Sequence, residues 1–144
     1  MQTGDKAVAY TPKYQQEDEE KIVLKMDYEH TEAHQRAYDL SVYLHSKVTT
    51  FPKKEKFVLQ QEIRNAIDDV VDEIEQYEIT KTASHIYAAD RCKRRLVRKI
   101  RLAYDLKYLS KKSYEYIATE VGLMGACIGG LVKLAKESKR LKES

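Results

Sequence analysis

The sequence predicts an all-α protein, a single antiparallel four-helix bundle. Three observations carry that expectation. The chain has 144 residues, the size of one domain with one core. It holds only five glycines and two prolines. Its longer segments are rich in Leu, Ile, Val, Ala, Lys, Arg and Glu, and their apolar residues recur at three- and four-residue spacing.

Residues 1–26 stand apart. They are mostly polar, include the acidic run Glu17, Asp18, Glu19 and Glu20, and read as a mobile arm dispensable for folding, with the bundle domain spanning residues 27–144. From about Asp27, the positions Ala33, Ala37, Leu40, Leu44 and Val48 form one apolar stripe, a first helix ending near Thr50. Phe51-Pro52 breaks it, because a residue before proline is pushed out of the α region while proline can open a helix. A second helix then runs to about Glu78 on Phe57, Ile63, Ile67, Val70, Ile74 and Tyr77, with Asp68, Asp69, Asp72, Glu73 and Glu75 outward or flanking. Thr80-Lys81-Thr82 offers caps for a third helix carrying Ile86, Ala89, Leu96, Ile100 and Ala103 and ending near Lys107. Ser110 is placed to cap a fourth, where Tyr114, Ile117, Val121, Met124, Ile128, Leu131 and Ala135 keep an a/d rhythm. The short connections make sequence neighbours antiparallel.

Charge is distributed unevenly. Through Glu78 there are 10 Lys and Arg against 17 Asp and Glu, and from Ile79 onward 16 against 6. Such asymmetry speaks of partners more than of fold. The densest basic run lies between Arg91 and Arg101, where Arg91, Lys93, Arg94, Arg95, Arg98, Lys99 and Arg101 occur without an acidic residue. At about 100° per residue, Arg91, Arg94, Arg95, Arg98 and Arg101 share an arc of roughly 120° opposite Ala89, Leu96 and Ile100. Acidic partners at i, i+4 are expected to be missing within this helix, so the ridge is expected to meet an external anion. Phosphate suits it, because guanidinium forks match phosphate bidentately and each neutralised phosphate releases counterions. Arg91, Arg94, Arg95, Arg98, Lys99 and Arg101 are therefore the candidate nucleic-acid contacts. Two alternatives stand beside this one: acidic helix two, from this chain or a neighbour, covers the ridge, or an acidic protein docks on it. Lys93 projects nearer the apolar stripe.

Other chemistry finds little support. His30 and His34 lie at i, i+4, but the Glu in His30-Thr31-Glu32-Ala33-His34 is not placed as in the H-E-x-x-H motif and no third ligand is identifiable, so no metal or cofactor is expected. His45 and His85 stand alone, and no Ser or Cys has a neighbouring base, so no catalytic residue is expected and the chain reads as a non-enzyme. Cys92 and Cys127 lack C-x-x-C spacing and read as reduced packing residues. Gly122, Gly125, Gly129 and Gly130 follow no strand and precede no Lys-Ser/Thr, so they are no phosphate loop; each costs a helix roughly 1 kcal/mol relative to Ala, which points to close approach of another helix. Tyr87, Tyr104 and Tyr108 are read as core-edge residues, with stacking on unpaired bases as the rival role. The uncharged run of residues 121–132 is shorter than the roughly 20 residues of a membrane span, and residues 1–10 carry no secretory apolar stretch. No membrane partner and a cytoplasmic location are expected.

Phe51-Pro52-Lys53 with Glu55, Phe57, Leu59 and Ile63-Arg64 resembles the second helix of the ribosomal-RNA intervening-sequence four-helix-bundle proteins. Tyr87-Ala88-Ala89-Asp90 with Arg95, Leu96 and Arg101, then Tyr108-Leu109-Ser110, Tyr114, Gly125 and Ile128-Gly129-Gly130-Leu131-Val132-Lys133, resembles the related Avd family, the accessory variability determinants of diversity-generating retroelements. The likeness spans about residues 30–135. It implies a homopentameric ring of four-helix protomers that binds the reverse transcriptase together with RNA and DNA, and supports mutagenic cDNA synthesis without catalysing it. Where relatives often carry Arg after the helix-three leucine, Arg after the first glycine and Trp after the paired glycines, this chain has Val97, Ala126 and Leu131.

Overall fold

The computed structural model describes residues 30–52 and 57–143. The expected N-terminal arm, the stretch from Asp27 to Glu29, and the segment around Lys53 and Glu55 lie outside the described residues. Among those described, four α-helices and one short 3-10 turn account for the regular structure, and no strand occurs: α1 is Glu32–Lys47, α2 Phe57–Thr80, α3 Ala83–Asp105 and α4 Lys111–Glu143, with the 3-10 turn Val48–Thr50 after α1.

Local chemistry sets most of the helix ends. Thr31 caps α1, its hydroxyl accepting the His34 N–H at 3.1 Å. The 3-10 turn tightens the other end, where the Thr49 and Thr50 hydroxyls donate to the Ser46 and Lys47 carbonyls at 2.6 and 2.7 Å. Only Lys81 and Thr82 separate α2 from α3. Lys81 sits in the left-handed region, φ 58°, and its N–H returns to the Tyr77 carbonyl at 2.8 Å. Thr82 stands at the N-cap of α3, but without the expected side-chain capping bond. After α3, Lys107 is again left-handed, φ 68°. Tyr108 N–H reaches Ala103 O at 2.8 Å and Lys107 N–H reaches Tyr104 O at 2.9 Å, the paired bonds of a Schellman end built on lysine instead of glycine. Ser110 then caps α4 as expected, its Oγ accepting the Ser113 N–H at 3.0 Å.

Each helix packs on two others in cyclic order, α1 on α2, α2 on α3, α3 on α4 and α4 back on α1, and among the described residues no contact joins the diagonal pairs. The core between them is formed by Leu44, Ile63, Ile67, Ile74, Ile86, Leu96, Ile117, Met124 and Ile128, all essentially removed from solvent. The apolar stripes expected for α1 and α3 are buried at every position. On α2, Phe57 departs from expectation and is 69% exposed. It precedes the buried Leu59 by two residues, about 200° round the helix, so its ring faces outward when Leu59 faces in.

Candidate nucleic-acid interface

The ridge on α3 forms, but its six candidates fall into two groups. Arg91, Arg94, Arg98 and Arg101 are exposed on the outer face. Arg95 and Lys99 turn toward acidic α2, where Arg95 Nη2 meets Asp69 Oδ2 at 2.6 Å and Lys99 Nζ meets Glu62 Oε1 at 3.0 Å. The covering of the ridge by helix two is thus real for these two residues within one chain, and it stops there.

The expectation that α3 lacks its own acidic partners needs correcting. The run from Arg91 to Arg101 is free of them, yet the residues that flank it are not: Asp90 Oδ2 pairs with Arg94 Nη2 at 3.0 Å, and Asp105 Oδ2 lies 3.8 Å from Arg101 Nε. Both are i, i+4 pairs. The guanidinium side chains of Arg94 and Arg101 remain 73% exposed, and exposed pairs of this kind contribute about 0–1 kcal/mol, so a phosphate can replace either carboxylate at little cost. Among the described residues Arg91 and Arg98 have no acidic partner, which leaves two unpaired cations alternating with two loosely held ones.

Lys93, expected near the apolar stripe, pairs with Asp90 at 3.5 Å and lies along Gly125, where an added Cβ would stand 3.3 Å from its Cδ. Among the described residues, an added Cβ at Gly122, Gly129 or Gly130 meets nothing within 4 Å. The expected close approach is thus made at Gly125 by the Lys93 side chain of α3, and among the described residues no other helix makes it at the remaining three. The tyrosines fill the core edge: Tyr104 stacks on Tyr114 with centroids 4.2 Å apart, and Tyr108 tilts against Phe51 at 5.6 Å. Cys92 and Cys127 are both free and half-buried, and burial pushes the Cys92 thiol up.

A feature invisible in the local sequence is the pairing of histidines with α2. The chain has four, and each meets an α2 carboxylate: His30 with Glu78 at 2.7 Å, His34 with Glu75 at 2.8 Å, His45 with Asp68 at 2.9 Å and His85 with Glu73 at 2.8 Å. His45 and His85, isolated in sequence, are thus paired across helices. Burial alone would raise the Glu78 carboxyl, but hydrogen bonds from the Thr31 hydroxyl and amide and from His30 hold it below its ordinary value. Asp72, although exposed, moves the other way, raised by partial desolvation and by the crowd of Glu75, Asp69, Asp68 and Glu73.

The outer face of α4 is apolar and open. Leu123 and Leu134 are 42% and 60% exposed beside the glycines. The strictly uncharged run is too short for a bilayer, as expected; allowing two charges, α4 does contain an 18-residue stretch long and apolar enough to cross one by composition, and only 22% of that stretch is buried.

Fold and surface together define a small helical bundle with one acidic helix, an arginine ridge beside it and an apolar helix face left exposed among the described residues. A family model described as bAvd-like matches residues 33–135, and the chain belongs to that family, non-catalytic accessory proteins of the diversity-generating retroelement type. No curated protein matches the chain.

Proposed function

We propose that this protein is the accessory subunit of a diversity-generating retroelement, acting in the cytoplasm, which binds RNA and DNA through α3 and joins the reverse transcriptase during mutagenic cDNA synthesis. The observation that carries the nucleic-acid reading is the outward row Arg91, Arg94, Arg98 and Arg101, none of them tied to another helix. Its chemistry favours phosphate over bases, because the outer face offers forks for anionic oxygens and no Asn or Gln to read base edges. Arg95 and Lys99 serve mainly to hold α3 against α2.

The open face of α4 supports self-association into the homopentameric ring that family resemblance implies. A second copy of the chain covers this face better than a bilayer does, since α4 packs against α1 and α3 through Ile117, Val121, Met124 and Ile128 and would have to drag these charged helices into lipid. Small residues at Gly122, Ala126, Gly129 and Gly130 let a neighbouring helix come close.

The test is a salt titration of binding to unrelated RNA and DNA oligonucleotides. Wild type should bind all of them similarly, with affinity falling steeply with salt. Arg91→Ala with Arg98→Ala should weaken each and flatten the log–log slope by roughly 0.7 to 0.9 for every phosphate left unneutralised. Unchanged binding and slope in this double variant would remove the ridge as the nucleic-acid site and favour an acidic protein partner there.

A further inference from the structure

Where the chain enters α1 and leaves α2, His30, His34, Glu75 and Glu78 crowd together. His30 Nδ1 lies 2.7 Å from Glu78 Oε1, and His34 Nε2 lies 2.8 Å from Glu75 Oε2. The two imidazoles stack with centroids 3.6 Å apart and planes 6° from parallel.

Glu78 is unusual in the bundle because its side chain is only 3% exposed. Its Oε2 accepts both the amide and the hydroxyl of Thr31 at 2.7 Å, which fixes the carboxylate and turns Oε1 toward the imidazoles. Among the described residues no Lys or Arg pairs with Glu75 or Glu78, so two carboxylates face two histidines with no fixed cation between them. One donor atom from each of His30, His34 and Glu78 lies within 4.8 Å of the others. Ligands around tetrahedral zinc stand roughly 3.4 Å apart, and because imidazole lone pairs lie in the ring planes, one of the two stacked rings turns out of the stack to meet the ion.

The geometry points to a divalent transition-metal site with His30, His34 and Glu78 as ligands, joining the first turn of α1 to the end of α2. Two imidazole nitrogens and one carboxylate oxygen suit zinc-class ions, whereas magnesium and calcium prefer oxygen throughout. Glu75 acts from behind, orienting His34 and raising its basicity. The ion replaces the hydrogen bond between His30 and Glu78, the two ligand atoms turning from each other to the metal. Local sequence offers no third ligand because Glu78 lies 48 positions from His30 and only the α1–α2 register unites them.

The test uses the full chain, without a histidine tag and stripped with chelator, titrated calorimetrically with zinc chloride and followed in visible absorption with cobalt(II). One ion per chain is expected, with the intense bands of four-coordinate cobalt and a thermal midpoint raised by about 5 °C at saturation. His30→Ala and Glu78→Gln should each weaken binding tenfold or more, while His85→Ala binds as wild type. His30 is the decisive position should the buried Glu78 variant lose its fold, because His30 lies at the partly exposed entry to the helix. Absence of binding by wild type, or binding that survives His30→Ala undiminished, overturns the site.

Discussion

Replacing Gly122, Gly129 and Gly130 together with alanine should strengthen the protomer and weaken its assembly. Glycine in a helix interior costs about 0.8 to 1.0 kcal/mol relative to alanine. A methyl group at any of the three meets nothing within 4 Å among the described residues, so no clash offsets the gain. The triple variant should therefore gain about 2.5 to 3 kcal/mol in the isolated protomer, a rise in midpoint on the order of 10 °C for a chain of this length. Between copies the sign reverses. If these glycines let neighbouring helices approach, each added methyl overpacks the seam at about 1 to 3 kcal/mol per site. Light scattering at micromolar concentration reads the mass, and thermal unfolding at two protein concentrations separates protomer from assembly stability. Gly125→Ala is the control, since its methyl meets only the flexible Lys93 side chain and should leave the mass unchanged. A triple variant that keeps the wild-type mass would refute the placement of the seam on this face. Wild type with the mass of a monomer would refute the assembly altogether.

Two further outcomes follow from local chemistry. Lys107→Gly should raise stability by about 1 kcal/mol, because Lys107 holds φ 68° and glycine adopts that region without the Cβ clash; the urea midpoint checks it. Asp72→Asn should raise stability slightly at neutral pH, since partial desolvation and four like charges, screened by solvent at this exposed position, raise the Asp72 carboxyl in the folded state, so that its ionisation opposes folding. That advantage is full above the raised folded pKa, shrinks as pH falls through it, and is gone below the ordinary aspartate value, which urea midpoints at pH 7 and about pH 4 will show.

Helix positions are legible in the sequence because burial of one face imposes a 3.6-residue rhythm, and Ala33, Ala37, Leu40 and Leu44 or Ile86, Ala89, Leu96 and Ile100 keep it without error. The Ser110 cap is equally legible, since a capping side chain acts on its own helix. The ends at Lys81 and Lys107 are not, because the left-handed residue there is lysine and carries none of glycine's signal. Spacing places the arc of the α3 arginines correctly, whereas the division between outward Arg91, Arg94, Arg98 and Arg101 and inward-tied Arg95 and Lys99 depends on how α2 and α3 are registered. Asp90 and Asp105 escape notice for a simpler reason, lying one residue before and four residues after the basic run while still within about one helical turn of their arginines. The histidine–carboxylate pairs are also products of register, and no window of sequence contains both members of the His30–Glu78 contact.

The most direct test of the accessory role is reconstituted cDNA synthesis, with the reverse transcriptase and template RNA of the same retroelement supplied with and without this protein. Copurification of the two proteins and template-primed cDNA only when both are present is the expected result, with the product abolished by Arg91→Ala and Arg98→Ala although the variant stays folded. A reverse transcriptase that neither retains this protein nor changes its yield or product when the protein is added would contradict the role.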